Sequence, residues 1–179
     1  MFLHKIKYLF FIDLLFIAGC QTIQNQDHHL TYEHTMTISS YKVIDGDTIT
    51  GLDSEGKPIR IRLTGIDAPE KDQPMGPQSI KNLEQCVGGQ PIIINWSKTD
   101  KYERVLGKVI SQNTDCNLEQ IKQGYAWHYK YYENDQPHQE QHQYAEAEIQ
   151  AKLSQIGLWK FNCPTAPWDW RQKKIVLCN

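Results

Sequence analysis

Residues 59–64 read Ile-Arg-Ile-Arg-Leu-Thr, a strict period of two. Ile59, Ile61 and Leu63 take one face, while Arg60, Arg62 and Thr64 take the other. A half-buried β-strand is the element that sorts residues this way, and it points Arg62 away from the face carrying Ile61 and Leu63. The runs around it are of the same kind. "MTISSYKVI" and "DTITGL" are strand-like, and "DSEGK" supplies a turn before "PIRIRLTGI". "PIIINW" and "VLGKVIS" are two further strands flanking "SKTDKYER", and "APEKDQPMG" is a loop.

Three helices follow from other signals. One starts near Pro77, a residue suited to a first helical turn, with Ile80, Leu83 and Val87 as its stripe and Gly88-Gly89 as its stop. Asn117 with Gln120 resembles a capping box for a short helix through Leu118 and Ile121, ended by Gly124. The last helix is expected over roughly Gln136–Ile156, with Ala145, Ile149, Leu153 and Ile156 on its apolar stripe. The order predicts a mainly β fold with helices: a five-stranded barrel with three packed α-helices, for which the OB-fold is the commonest architecture.

The chain of 179 residues suits one such domain plus a leader. Lys5 and Lys7 precede the apolar run Tyr8–Ala18, which is too short to span a bilayer and reads as a signal peptide over residues 1–19. Ile17-Ala18-Gly19-Cys20 looks like a bacterial lipobox, with Cys20 lipidated; an ordinary cleaved signal is the alternative, and Asp13 is unusual inside such a run. Gln21 rather than Asp after Cys20 favours the outer membrane by the usual sorting pattern. Residues 20–35 form a polar tether, in which His28, His29 and His34 read as solvated. The domain proper runs over 36–160, followed by a Trp- and Cys-containing extension over 161–179.

The remaining cysteines, Cys86, Cys116, Cys163 and Cys178, lack metal-binding spacing. An even number in an exported chain favours two disulfides, with Cys86–Cys116 and Cys163–Cys178 the preferred pairing among three. Formal charge is −2 overall. Lys5, Lys7 and Asp13 leave the leader at +1, so the rest carries about −3. That argues against a protein coating nucleic acid through a general basic surface; any such function rests on a few placed cations, with or without a metal.

Three polar clusters interrupt the strands: Asp45-Gly46-Asp47-Thr48, Asp67-Ala68-Pro69-Glu70 and Lys101-Tyr102-Glu103-Arg104. Singly each is an ordinary turn or strand end. Together they hold what phosphodiester hydrolysis needs: oxygen ligands for a hard cation, guanidinium forks for developing charge, and a carboxylate to position water. His138 and His142 stand four apart on the last helix, but "HQEQH" is not H-E-x-x-H and reads as a solvated face; His128 reads as packed.

"VIDGDTI", "IRLTGIDAPE", "TDKYERVLGKVI", "IKQGYAWHY" and "GLW" occur in the order and at the spacing of the staphylococcal nuclease (thermonuclease) family, which the chain resembles from about Met36 to Trp159. The resemblance implies an OB barrel and Ca²⁺-dependent endonuclease action on DNA and/or RNA, leaving 3′-phosphates. It implies Asp47 and Asp67 as calcium carboxylates, Ala68 as a backbone-carbonyl ligand, and Asp45 as an acid reaching the cation through water. Glu70 matches the general base, and Arg62 and Arg104 the phosphate-clamping arginines. Lys101 and Tyr102 match contacts to a terminal phosphate, and Tyr129 and Tyr132 lie where nucleotide-side tyrosines are expected, with packing as the alternative for both. The loop after Glu70 is shorter than in the staphylococcal type member. Trp168 and Trp170 are expected to pack the extension on the barrel, with base stacking the alternative. The expectation is a monomeric, lipid-anchored, exported nuclease; a non-catalytic nucleic-acid-binding OB module in the envelope is the rival.

Overall fold

The computed structural model of the protein describes residues 31–174. Cys20, the leader, most of the tether and Cys178 lie outside the described residues. In chain order the strands open with β1 (His34–Ile38), β2 (Tyr41–Asp45), β3 (Thr48–Leu52), β4 (Pro58–Leu63) and β5 (Ile66–Asp67). Helix α1 (Gly76–Val87) leads into β6 (Ile92–Thr99), β7 (Val105–Ser111) and β8 (Thr114–Asp115). Then come α2 (Cys116–Lys122), β9 (Trp127–His128), a 3₁₀ turn over Lys130–Asp135, α3 (His138–Leu153) and the short α4 (Pro167–Arg171).

The main sheet runs β1-β6-β7-β4-β3-β2, antiparallel except for the parallel pair β4–β7. Its two end strands are joined by Ser39 and Ser40 alone, and Leu52 N donates to Ser40 O at 3.0 Å across that bend. "MTISSYKVI" is thus one bent strand that begins the path and ends it, which gives the five-stranded, OB-like arrangement its curl. In β7 Val105, Gly107, Val109 and Ser111 turn inward, as the alternation requires. Ile38, Ile49, Ile61, Leu63, Ile92 and Ile94 fill the interior with them, each burial contributing roughly 1.5–3 kcal/mol. Leu83 and Val87 of α1, Ile121 of α2 and Tyr144 of α3 close it.

Helix α1 matches its expected stripe, and Gly88 ends it at φ +57° with its N–H on Glu84 O. Two helical expectations are corrected. The cap of α2 is Asp115, which accepts from Leu118 N, whereas Asn117 and Gln120 are fully buried and bond to other elements. Helix α3 is shorter than expected and buries Glu140, Tyr144, Ala147, Glu148 and Ala151, leaving Ile149 and Leu153 exposed. Its buried acids find cations: Glu140 meets Lys108, and Glu148 meets Lys152 and Lys130.

Cys86 and Cys116 form a disulfide between α1 and the start of α2, with Cα atoms 5.8 Å apart. Cys163 is also disulfide-bonded, and its expected partner Cys178 lies outside the described residues. A second small core of Trp127, Leu158 and Ala166, flanked by Met75, Trp159 and Trp168, seats the extension on the body.

Candidate active site

The β2–β3 turn carries Asp45 and Asp47 and is held from below. Gln120 Nε2 donates to Gly46 O at 2.5 Å, and a Cβ at Gly46 would run into Ser79 Oγ and Ala68. Pairing of Thr48 with Arg62 in the β3–β4 ladder brings the Arg62 side chain beside Asp47. Beyond β4, Gly65 turns the chain at φ +73° into β5, where Asp67 ends the strand paired with Trp127 of β9. Asn117 braces this turn by donating to Thr64 O at 3.0 Å and Gly107 O at 3.1 Å.

The result is a convergence on one guanidinium. Arg62 Nη1 lies 2.9 Å from Asp47 Oδ2, and Nη2 lies 2.9 Å from Asp67 Oδ1. Asp47 also accepts from Ala68 N at 2.8 Å, and Asp45 accepts from Asp47 N at 3.2 Å. Burial pushes the Asp47 carboxyl well above its ordinary range; Arg62 opposes this, while Asp45 and Asp67 add to it. Glu70, three residues beyond Asp67, is half-buried at the rim.

Arg104 comes in from the β6–β7 loop, but it does not touch these acids. Its Nε donates to Asp100 Oδ2 at 2.8 Å, and Asp100 Oδ1 takes the backbone N–H groups of Tyr102 and Arg104 at 2.9 and 3.0 Å. Burial disfavours the Asp100 charge, yet the hydrogen bonds from Arg104 and Tyr102 hold its carboxyl below the usual value. Lys101 and Arg104 both approach the exposed Tyr102 ring, at 5.0 and 5.6 Å from its centroid. Tyr129 packs between Tyr132, at 5.5 Å, and Trp168, at 5.4 Å. All of these expected residues line one open cavity of about 680 Å³.

The residues present fit a hard divalent cation. The donor atoms at the cluster are carboxylate oxygens, and the mutual repulsion of Asp45, Asp47 and Asp67 favours a positive charge among them. Among the described residues no group of three or more His, Cys, Asp or Glu side chains forms a ready cage. A cation held at Asp47 and Asp67 would need backbone carbonyl and water to complete its shell.

Residues 60–161 match the family of staphylococcal nuclease homologues. The chain belongs to that family. An "Uncharacterized endonuclease" of Haemophilus influenzae is 40% identical over 135 residues, covering 75% of this chain and 72% of the relative. A protein of the same description from Escherichia coli is 35% identical over 134 residues, covering 74% and 83%. The "Staphylococcal-like nuclease CAN1" of Arabidopsis thaliana is 31% identical over 140 residues, covering 78% and 41%. This staphylococcal nuclease homologue is accordingly a nuclease, a hydrolase of nucleic-acid phosphodiesters.

Two residues of the cavity escaped the sequence reading. Asp100 stands inside "TDKYER", and its four-residue spacing to Arg104 is the signal the sequence offers. Arg171 lies in the extension and reaches Asp67 and Glu70 from more than a hundred positions away, a relationship with no local pattern to reveal it.

Proposed function

We propose that this nuclease is a Ca²⁺-dependent endonuclease acting on DNA and/or RNA and leaving 3′-phosphate ends. The observation that carries the reading is the meeting of Asp47 and Asp67 on Arg62 at 2.9 Å each, in one open cavity with Glu70 and Arg104. The acids suit a cation and the arginines suit a phosphate, and an oxygen donor set favours Ca²⁺ over softer metals. Product polarity and endonucleolytic attack are proposed from the resemblance to the staphylococcal nuclease family.

Asp47 and Asp67 would hold the ion with the Ala68 carbonyl, and Asp45 would reach it through water. When bound, Ca²⁺ supplies Lewis-acid polarisation of a phosphoryl oxygen. Arg62, released from the two acids, and Arg104, oriented by Asp100, donate paired N–H groups to the equatorial oxygens as negative charge develops. Glu70 accepts a proton from the attacking water as its oxygen bonds to phosphorus. The bond to the 5′ oxygen breaks, that oxygen takes a proton from solvent, and the phosphate stays on the 3′ side. Lys101 and Tyr102 suit a neighbouring phosphate, and Tyr129 and Tyr132 the nucleoside beside it.

The chain is further proposed to work as a monomer, exported and anchored to the bacterial envelope through acylated Cys20, with the outer membrane favoured by Gln21. Cys20→Ser should release activity from the membrane fraction. For the chemistry, the test is cleavage of a short end-labelled oligonucleotide with Ca²⁺ and with chelator, followed by end-group analysis. Asp47→Asn and Asp67→Asn should lose Ca²⁺ affinity and rate together. Glu70→Gln should lose about 10²-fold in kcat with nucleotide binding retained. Full turnover in excess chelator, or 5′-phosphate products, rejects the reading.

A further inference from the structure

Arg171 is a charged group that the proposed chemistry does not use, and it sits inside the site. Its guanidinium forks Asp67, with Nη2 2.7 Å from Oδ2 and Nη1 3.2 Å from Oδ1. The same Nη1 donates to Glu70 Oε1 at 2.8 Å. Asp67 is thus gripped by Arg62 on one side and Arg171 on the other, and Arg171 lines the same cavity as Arg104. The side chain is 44% exposed, so it is open to a ligand entering from solvent.

The extension that carries it is fixed in place. Gln73 links the Glu70 loop to it: Glu70 N donates to Gln73 Oε1 at 3.1 Å, and Gln73 Nε2 donates to Thr165 O at 2.6 Å. Trp168 stacks on Tyr129 at 5.4 Å and meets Trp127 edge-on at 6.3 Å. Trp170 Nε1 donates to Asp72 at 3.4 Å. Arg171 ends α4, so these contacts set where its side chain starts and keep its reach within the cavity.

We propose that Arg171 is a third substrate-binding guanidinium of the active site, supplied by the C-terminal extension and held on Asp67 and Glu70 until a phosphate takes their place. The inference rests on the cation and nuclease reading above. A divalent cation on Asp67 weakens that carboxylate's attraction for a guanidinium and repels it directly. The anchored helix keeps the freed fork beside Glu70, where the incoming anion is a phosphodiester with the paired oxygens a guanidinium recognises. The acid cluster of Asp45, Asp47, Asp67 and Glu70 gains from such a group: the extra positive charge helps draw a polyanion to a protein of net negative charge.

The test compares wild type, Arg171→Gln and Arg171→Lys as full chains by calorimetry, with Ca²⁺ alone and with a nucleoside 3′,5′-bisphosphate in Ca²⁺-containing and metal-free buffer. Arg171→Gln should bind the bisphosphate about tenfold more weakly, as expected for loss of a charge-assisted hydrogen-bonding pair. It should bind Ca²⁺ alone at least as tightly as wild type, because a competitor for Asp67 has gone. Arg171→Lys should recover part of the bisphosphate affinity, and KM for an oligonucleotide should rise more than kcat falls. Unchanged bisphosphate affinity in both variants overturns the proposal. So does a loss of bisphosphate and Ca²⁺ affinity in step, which marks Arg171 as a clip holding the extension. If wild type itself takes no Ca²⁺, the metal assignment fails, and the metal-free bisphosphate comparison still decides the role of Arg171.

Discussion

Gln120 donates its side-chain amide to the carbonyl of Gly46 at 2.5 Å, tying α2 to the turn that presents Asp45 and Asp47. The same Nε2 reaches Ser79 O at 3.0 Å, and Oε1 accepts from Asn82. Gln120→Leu keeps the volume but strands buried carbonyls and an amide, at a cost of about 2–4 kcal/mol. Denaturant unfolding should register that loss. Ca²⁺ affinity should fall with it, because the turn under Asp47 loses its support. Wild-type Ca²⁺ binding in a destabilised Gln120→Leu protein breaks the link between helix and site.

Asp100 is expected to act through Arg104. Asp100→Asn keeps the backbone hydrogen bonds to Tyr102 and Arg104 within reach but removes the charge that orients the guanidinium. A fall in kcat of about tenfold is expected, less than the 10²–10³ typical of losing a transition-state donor outright. KM should change little. In an Arg104→Lys background the same substitution should add little, since the group it orients is already gone. Additive losses in this double-mutant cycle would give Asp100 a separate role.

The strands and the acids at their ends were legible because period two and turn chemistry are local. Ile61 and Leu63 face the core, and Arg62 faces the site, as the alternation requires. What misled was polarity without its partner. Glu140 stands in the "HQEQH" stretch read as a solvated face, yet both it and Glu148 are buried: Lys108 of β7 meets Glu140, and Glu148 pairs with Lys152 one turn along α3 and with Lys130 of the 3₁₀ turn. Ile149 and Leu153 looked like the buried stripe and are exposed, because α3 turns the face of Tyr144, Ala147 and Ala151 inward instead. Asn117 and Gln120 resembled a cap, but their amides satisfy strand and turn carbonyls, which no spacing within α2 encodes. Arg171 is the extreme case, since its partners lie 101 and 104 residues away.

The Cys86–Cys116 disulfide crosses from α1 to α2 and closes a loop of 30 residues. On the chain-entropy account such a closure contributes roughly 3–4 kcal/mol by restricting the unfolded chain. Replacing both cysteines by Ala should lower the unfolding midpoint accordingly. Oligonucleotide cleavage by the folded fraction should stay near wild type, because neither sulfur lines the cavity. Loss of activity at temperatures where the variant is still folded would show that the bridge also holds α2 and Gln120 in register with the site.

Glu148 sets an acid limit on stability that can be isolated. Burial opposes its charge, but Lys152 at 2.8 Å and Lys130 at 3.3 Å, with His128 N donating at 3.1 Å, hold its carboxyl below the ordinary value of 4.5. A carboxylate with a lowered folded-state value stabilises the protein above its unfolded value, and the gain disappears as pH falls through the lowered one. Glu148→Gln leaves an acceptor for His128 N and removes only the charge. At pH 7 it should cost about 1.5–3 kcal/mol, the range for a hydrogen bond to a charged group. The gap in unfolding midpoint between wild type and Glu148→Gln should stay constant down to about pH 5 and close below 4.5. Comparing the two proteins cancels titrations they share, including that of Asp47, whose raised value works in the opposite direction. A gap that persists undiminished at pH 3 would mean that packing around Glu148, and not its charge, holds α3 to β9.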